Sequence, residues 1–167
     1  SKLGTAQIQA LDATDVAGMT TGQVSILSTA QVDALTFAMV KGLSTEGLGA
    51  LSTNVASISH IDALTTTLTQ ALTTAQIQAL TTSQIENLSL ASASALTSTQ
   101  VSSITTNQIT HLATSAIAAL TTEQAFALTT AQINKLTTTQ VAALNASQLS
   151  NLGTTQFKAL SAAQLTA

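Results

Sequence analysis

The octapeptide Leu72-Thr73-Thr74-Ala75-Gln76-Ile77-Gln78-Ala79 is the clearest copy of a unit that repeats along this 167-residue chain. Written from its leucine, the unit reads Leu-Thr-Thr-x-Gln-Ile/Val-x-Ala, with positions numbered one to eight. An apolar residue returns to position one every eight residues in two runs: Leu3, Leu11, Met19, Leu27, Leu35, Leu43 and Leu51, then Leu64, Leu72, Leu80, Leu88, Leu96, Ile104, Leu112, Leu120, Leu128, Leu136, Leu144, Leu152 and Leu160. A fixed period of this kind indicates a repeat architecture.

The period slips once, because Leu51 and Leu64 stand thirteen residues apart. We interpret residues 52–63 as an insertion that forms an irregular turn. Residues 1–51 then form a first, less regular octapeptide run, and residues 64–167 form a second, regular run. We expect both runs to belong to one continuous solenoid.

The period favours short helices over a long helix or a strand. In an unbroken α-helix, positions one and six fall about 140° apart and each unit drifts by about 80°, so no apolar stripe forms. In a strand, the two positions point to opposite faces, which leaves a β-solenoid with turns in every unit as the alternative. A short helix in each unit avoids both difficulties, and the sequence therefore predicts an all-α solenoid.

A capping box supplies the start of each predicted helix. The hydroxyl of Thr73 can accept from the amide of Gln76, while the Gln76 side chain reaches back to the amide of Thr73. The predicted helix-capping residues are Thr73, Gln76, Thr81, Gln84, Thr129, Gln132, Thr137 and Gln140. Helices of about seven residues are unstable alone, so they must pack on their neighbours. We expect Leu at position one, Ile or Val at position six and Ala at position eight to face the shared interior.

Two units depart from the pattern of large residues. Ala125 takes position six and is followed by Phe126. Ala93 also takes position six, in a unit that carries Leu90 at position three. We interpret both as local exchanges that keep the large side chain in the core.

The composition argues against several classes of function. Only 7% of residues are charged, the net charge is −3, and the four lysines are scattered, so we expect no nucleic-acid partner. Thr and Gln interrupt every apolar run, so we expect no membrane span. His60 and His111 lie in distant units, and Asp12, Asp15 and Asp33 lack calcium-loop spacing. The sequence therefore predicts neither an enzyme nor a cofactor or metal site.

The threonine-rich octapeptide resembles the repeat tracts of very large secreted bacterial proteins, which are labelled adhesins or haemolysin-like proteins. The resemblance covers nearly the whole chain. It implies a bacterial protein that is extracellular or at the cell surface, with a structural or adhesive role and no catalysis. The partners that it implies are the cell surface or the extracellular matrix.

The repeat continues to both ends of the chain, because Ser1 and Lys2 occupy positions seven and eight and Ala167 occupies position eight. Open solenoid ends expose the apolar interior. We therefore predict self-assembly ends at Leu3, Ile8, Leu160 and Leu165. Head-to-tail contacts that do not close into a ring produce filaments.

The sequence thus predicts a structural subunit of an extracellular bacterial filament or stalk, whose partner is another copy of itself. The alternative is an adhesin or ice-binding module that presents a regular Thr/Gln surface. That surface would be a lattice of threonines: Thr73, Thr81, Thr121, Thr129 and Thr137.

Overall fold

The computed structural model describes residues 3–166. The terminal residues Ser1, Lys2 and Ala167, to which we assigned places in the repeat, lie outside that range. The described residues form nineteen α-helices and two 3-10 helices and contain no strand. The predicted all-α solenoid is confirmed, and the alternative of a β-solenoid is wrong.

The helices are short and follow one another closely. In chain order they are α1 (Thr5–Gln9), α2 (Ala13–Ala17), α3 (Thr21–Ser25), α4 (Thr29–Asp33), α5 (Phe37–Gly42), α6 (Thr45–Ala50), the 3-10 helices η1 (Ser52–Ser57) and η2 (Ile61–Ala63), α7 (Thr66–Ala71), α8 (Thr74–Ala79), α9 (Thr82–Glu86), α10 (Leu90–Ala95), α11 (Ser98–Ser103), α12 (Thr106–Ile109), α13 (Thr114–Ala119), α14 (Thr122–Ala127), α15 (Thr130–Lys135), α16 (Thr138–Ala142), α17 (Ala146–Ser150), α18 (Thr154–Lys158) and α19 (Ala162–Leu165).

Each α-helix has its N-cap residue at position two, and α8, α10, α11, α13, α14 and α15 have their C-cap residue at the next position one. In α8 the N-cap residue Thr73 has φ −73° and ψ 159°, and the C-cap residue Leu80 has φ −57° and ψ 138°. Both conformations are extended and open to any residue, so the chain turns between helices without Pro or a left-handed Gly. The helices have four to six residues, shorter than the seven that we expected.

The chain divides into two compact units, unit 1 at residues 1–80 and unit 2 at residues 81–167. Within unit 2 each helix packs on the helix three places later, which gives three columns: α9 with α12, α15 and α18; α10 with α13, α16 and α19; and α11 with α14 and α17. Three octapeptides therefore make one turn of the unit 2 solenoid.

Unit 1 repeats this arrangement and includes the segment that we predicted to be an insertion. Its columns are α1, α4, η1 and α8; α2, α5 and η2; and α3, α6 and α7. The two 3-10 helices fill two consecutive places in the stack and bury Val55, Ile58 and Ile61. The thirteen-residue spacing is therefore two shortened units, each with a 3-10 helix, in the segment 52–63 where we predicted an insertion with an irregular turn.

The core contains positions one, five and six. In α15, Ile133 is fully buried, and Leu136, which ends the helix, is 4% exposed. Gln132 at position five is also buried. Position eight is less buried than we expected, because Ala79 and Ala127 are only partly covered.

The two predicted exchanges in the core are wrong. Ala125 and Ala93 are fully buried at position six, but Phe126 is 61% and Leu90 is 52% exposed. Adjacent residues of a helix point about 100° apart, so a side chain at position seven cannot replace the one at position six. The large side chains have moved to the surface, and the core contains alanine instead.

Candidate functional site

A buried glutamine links each turn of unit 2 to the turn before it. In α15 the Oε1 atom of Gln132 accepts from the backbone amide of Thr129 at 2.7 Å. The backbone amide of Gln132 donates to the Thr129 hydroxyl at 3.2 Å. The Nε2 atom of Gln132 donates to the carbonyls of Val101 at 2.9 Å and Ile104 at 2.6 Å. One side chain therefore caps its own helix and binds the end of the helix four places earlier. We call this arrangement a glutamine bridge.

The glutamine bridge recurs through unit 2 with constant sequence separation. Each bridging Nε2 atom donates to a carbonyl twenty-eight residues earlier, which belongs to a residue at position one. The bridges with this separation are formed by Gln124, Gln132, Gln140, Gln148, Gln156 and Gln164. A buried amide must have its hydrogen bonds satisfied, and these links satisfy it while they set the register of the turns.

Unit 1 has fewer such links. Gln76 donates to the carbonyl of Leu48 at 2.7 Å, and Gln31 donates to the carbonyl of Leu3. In α5, α6 and α7, position five carries residues that cannot form the bridge, namely Met39, Gly47 and Leu68. The first half of the chain is therefore held by fewer links between turns, in line with its weaker sequence pattern.

The predicted capping residues occupy the geometry that was expected of them. Thr73 with Gln76, Thr81 with Gln84, Thr129 with Gln132, and Thr137 with Gln140 each form a reciprocal capping box. The second role of the glutamines was missed from the sequence. One signal in the sequence could have indicated it. Glutamine and glutamate serve equally well in a capping box, yet position five is glutamine in most units.

The first turn of unit 1, formed by α1 to α3, leaves its position-five side chains in solvent. Gln7 and Gln23 are exposed, although their Oε1 atoms still accept from the N-cap amides of Gly4 and Thr20. Asp15 takes the same position in α2 and is also exposed. The amide groups that bridge turns elsewhere therefore point outward from this face.

The last turn of unit 2, formed by α17 to α19, has the opposite character. Phe157 and Leu165, both at position six, are 51% and 55% exposed, whereas Ile133 one turn earlier is fully buried. Within residues 3–166, no side chain donates to the carbonyls of Leu144, Leu152 and Leu160, which occupy the place of bridge acceptors. This face contains an open recess of about 330 Å³. Apolar residues dominate its lining: Val141, Leu144, Leu149, Phe157, Leu160 and Leu165.

The four residues that we predicted to form the self-assembly ends divide into two exposed and two buried residues. Leu3 is 45% and Leu165 is 55% exposed, so both are accessible. Ile8 is fully buried and Leu160 is 8% exposed, so the assignment of these two to an open end is wrong. The reason is that a turn covers position six of the turn before it and position one of the turn after it. Each end therefore exposes only one of the two positions.

The predicted threonine lattice is spread over several faces. In unit 2, Thr81 and Thr129 begin helices of one column, α9 and α15, while Thr121 and Thr137 begin helices of the other two columns. Their hydroxyls also accept from the amides of the position-five glutamines. A column repeats its threonine only once in every three octapeptides.

The ionisable side chains do not converge on a reaction centre. His60 makes an edge contact with the ring of Phe37, with centroids 6.3 Å apart, and Ser59 donates to the Asp33 carboxylate. A hydrogen bond from its own backbone amide lowers the pKa of Glu46, which is exposed. Among residues 3–166, no three His, Cys, Asp or Glu side chains lie close enough to hold a metal ion together. No helix in this range is both long and apolar enough to span a membrane.

Comparison with known proteins adds no relative. No protein-family model, no curated protein and no solved structure matches this chain.

Proposed function

We propose that this protein is a structural subunit of an extracellular bacterial filament or stalk, and that its copies stack head to tail. The last turn of unit 2 in one copy would receive the first turn of unit 1 in the next. The observation that carries this proposal is the exposure of Phe157 and Leu165 at position six, where the turns inside unit 2 bury the equivalent residues. A further turn of the same repeat is the surface that covers this position everywhere else.

Hydrophobic burial would drive the contact. Phe157 and Leu165 are about half exposed around a recess of about 330 Å³, and Leu3 in the first turn of unit 1 is 45% exposed. Burying a large apolar side chain contributes about 1.5–3 kcal/mol. Several such side chains at each contact can offset much of the entropy that association costs.

Hydrogen bonding would give the contact its direction. The exposed Nε2 groups of Gln7 and Gln23, two octapeptides apart, are donors, and the carbonyls of Leu144 and Leu160, also two octapeptides apart, are acceptors in the place where bridges end. The first turn of unit 1 therefore carries the donor half of a glutamine bridge, and the last turn of unit 2 carries the acceptor half. Two identical ends cannot form this pairing, so the contact is heterologous, and a heterologous contact that does not close gives a filament.

The extracellular location rests on the resemblance of the octapeptide to secreted bacterial repeat tracts. The low charge of the chain supports assembly, because only weak electrostatic repulsion between copies opposes it. The alternative of a regular ice-binding or adhesive lattice has less support, because the threonines lie on different columns.

Mixing experiments test the proposal. Wild-type protein should form filaments in negative-stain electron micrographs, whereas Leu165→Lys, which places an ammonium group in the apolar recess, should not. Leu165→Lys keeps its first turn intact, so it should still bind the open end of a wild-type filament and stop its growth. Added in small amounts, it should shorten wild-type filaments.

The matched control is the double variant Leu3→Lys with Leu165→Lys, which is blocked at both ends and should leave wild-type filaments at their normal length. Circular dichroism should show that all variants remain helical, since Leu3 and Leu165 are exposed. Wild-type protein that forms no filaments, or equal shortening by the single and double variants, would overturn the proposal.

A further inference from the structure

A groove on the side of unit 2 shares no lining residue with the apolar recess of its last turn. It lies along the column formed by α11, α14 and α17 and has a volume of about 620 Å³. Its lining is Ser98, Thr122, Glu123, Phe126, Ala127 and Asn151. We propose that this groove binds a neutral saccharide, with one pyranose ring stacked on the ring of Phe126. This inference does not depend on the assembly of copies.

Phe126 is the first reason to regard the groove as a binding site. Phe126 is 61% exposed at position seven, where the other units of this solenoid carry mostly polar or small side chains. Ala125 fills the core position beside it, where Ile133 stands in the next unit. The unit that contains α14 therefore has a smaller side chain in the core and an aromatic ring exposed to solvent. Departures of this kind without a gain in stability mark functional positions.

Gly153 is the second reason, because it makes room for that ring. In the same column, position two carries Thr81, Thr105 and Thr129. A Cβ atom at Gly153 would lie 3.5 Å from Cε2 of Phe126, so the further atoms of a threonine would compete with the ring for space. The helix that Gly153 precedes, α18, has no side-chain cap. Two departures from the repeat thus meet at one place.

The polar side chains of the groove indicate what the ring would bind. The face of a pyranose presents C–H groups, which suit the electron-rich face of an aromatic ring. Its hydroxyls need hydrogen-bonding partners around that ring, and the groove offers two hydroxyls, an amide and a carboxylate from Ser98, Thr122, Asn151 and Glu123.

The charge of the groove selects among ligands with a flat face. Among the described residues that line the groove, Glu123 is the only charged one, so a phosphate or a uronic acid would meet a carboxylate with no compensating cation from that lining. A neutral sugar can instead donate a hydroxyl proton to that carboxylate in a charge-assisted hydrogen bond. A neutral saccharide therefore fits the groove better than a nucleotide or an acidic sugar.

Nuclear magnetic resonance titration of the full chain tests this inference. The probes are methyl β-galactoside, methyl α-mannoside and N-acetylglucosamine, with glucuronic acid and adenosine as comparisons. At least one neutral sugar should shift the ring signals of Phe126 and the amide signals of Asn151 and Gly153. Phe126→Ala should weaken that binding about tenfold. Leu90→Ala, which removes another exposed apolar side chain of unit 2, should leave it unchanged.

Gly153 provides a second variant that tests the geometry without removing the ring. Gly153→Thr should weaken binding several-fold by displacing the Phe126 ring, while Gly153→Ala, whose Cβ fits at ordinary contact distance, should bind as the wild type does. The inference is overturned if none of the neutral sugars shifts these signals, if adenosine or glucuronic acid binds more tightly, or if Phe126→Ala and Leu90→Ala have equal effects.

Discussion

The Nε2 atom of Gln132 lies 2.6 Å from the carbonyl oxygen of Ile104, twenty-eight residues earlier in the chain. This contact joins the start of α15 to the residue that ends α11. The same side chain accepts from the amide of Thr129, so a single glutamine links local helix formation to the packing of successive turns.

The first prediction separates these two roles by an isosteric change. Glutamate can replace glutamine in a capping box, but both oxygens of its ionised carboxylate only accept, so it cannot donate to the carbonyls of Val101 and Ile104. Gln132→Glu should therefore lower the free energy of unfolding by about 3 kcal/mol at pH 7, because a buried carboxylate would face two carbonyls. Gln23→Glu, at an exposed position with the same cap, should change it by less than about 0.5 kcal/mol. Urea unfolding measures both, and equal losses would contradict the bridging role.

The second prediction concerns the pH dependence of the Gln132→Glu variant. Burial raises the pKa of a carboxyl group above its unfolded value, so the loss of stability is present at pH values above that unfolded pKa. It should shrink as the pH falls and the carboxyl becomes protonated, since a protonated carboxyl can donate one hydrogen bond. Urea unfolding at pH 7 and pH 4 should show the variant approaching the wild type at about pH 4. A difference that is constant with pH would argue against a buried carboxylate.

The third prediction concerns the buried face of α15. Leu136→Asp would place an unpaired carboxylate in the core, where Leu136 is 4% exposed, and should cost several kcal/mol. Ala131→Asp is its control, because Ala131 is exposed in the first turn of the helix, where a negative charge is favourable. Thermal unfolding followed by circular dichroism compares the two. Similar losses would mean that the buried face of α15 is assigned wrongly.

The fourth prediction concerns close packing in unit 1. A Cβ atom on Gly42 would lie 2.7 Å from the carbonyl oxygen of Ala13, so Gly42→Ala should force α5 away from α2 and cost about 1–3 kcal/mol. A Cβ atom on Gly49 would meet no described atom within 4 Å. Gly49→Ala should therefore stabilise α6 by about 0.5–1 kcal/mol. Differential scanning calorimetry should show changes of opposite sign, and a stabilising Gly42→Ala would contradict the close approach of the two helices.

The local structure was predictable from sequence because its determinants lie within one unit. Thr73 and Gln76 are three residues apart, and a capping box needs nothing else. The number of helices in a turn was not predictable, because it depends on which carbonyls lie within reach of Nε2. A glutamine at position 132 is compatible with any number of helices per turn. The same gap explains the errors at Ile8 and Leu160. Which end of a stack exposes position one, and which exposes position six, follows from the direction of packing between turns.

The groove could not be found from the repeat pattern either. The exchange at Ala125 and Phe126 was visible in the sequence, but its meaning depended on where position seven points. The place of Gly153 beside the ring depends on packing between successive turns. Both depend on packing between residues that are about one superhelical turn apart along the chain.

Sedimentation velocity over a range of protein concentrations tests head-to-tail assembly most directly. The wild type should sediment faster as its concentration rises, with no limiting small oligomer, and Leu165→Lys should remain a monomer at every concentration. A wild type that sediments as a monomer throughout, or a Leu165→Lys variant that assembles as the wild type does, would contradict the proposed assembly through the solenoid ends.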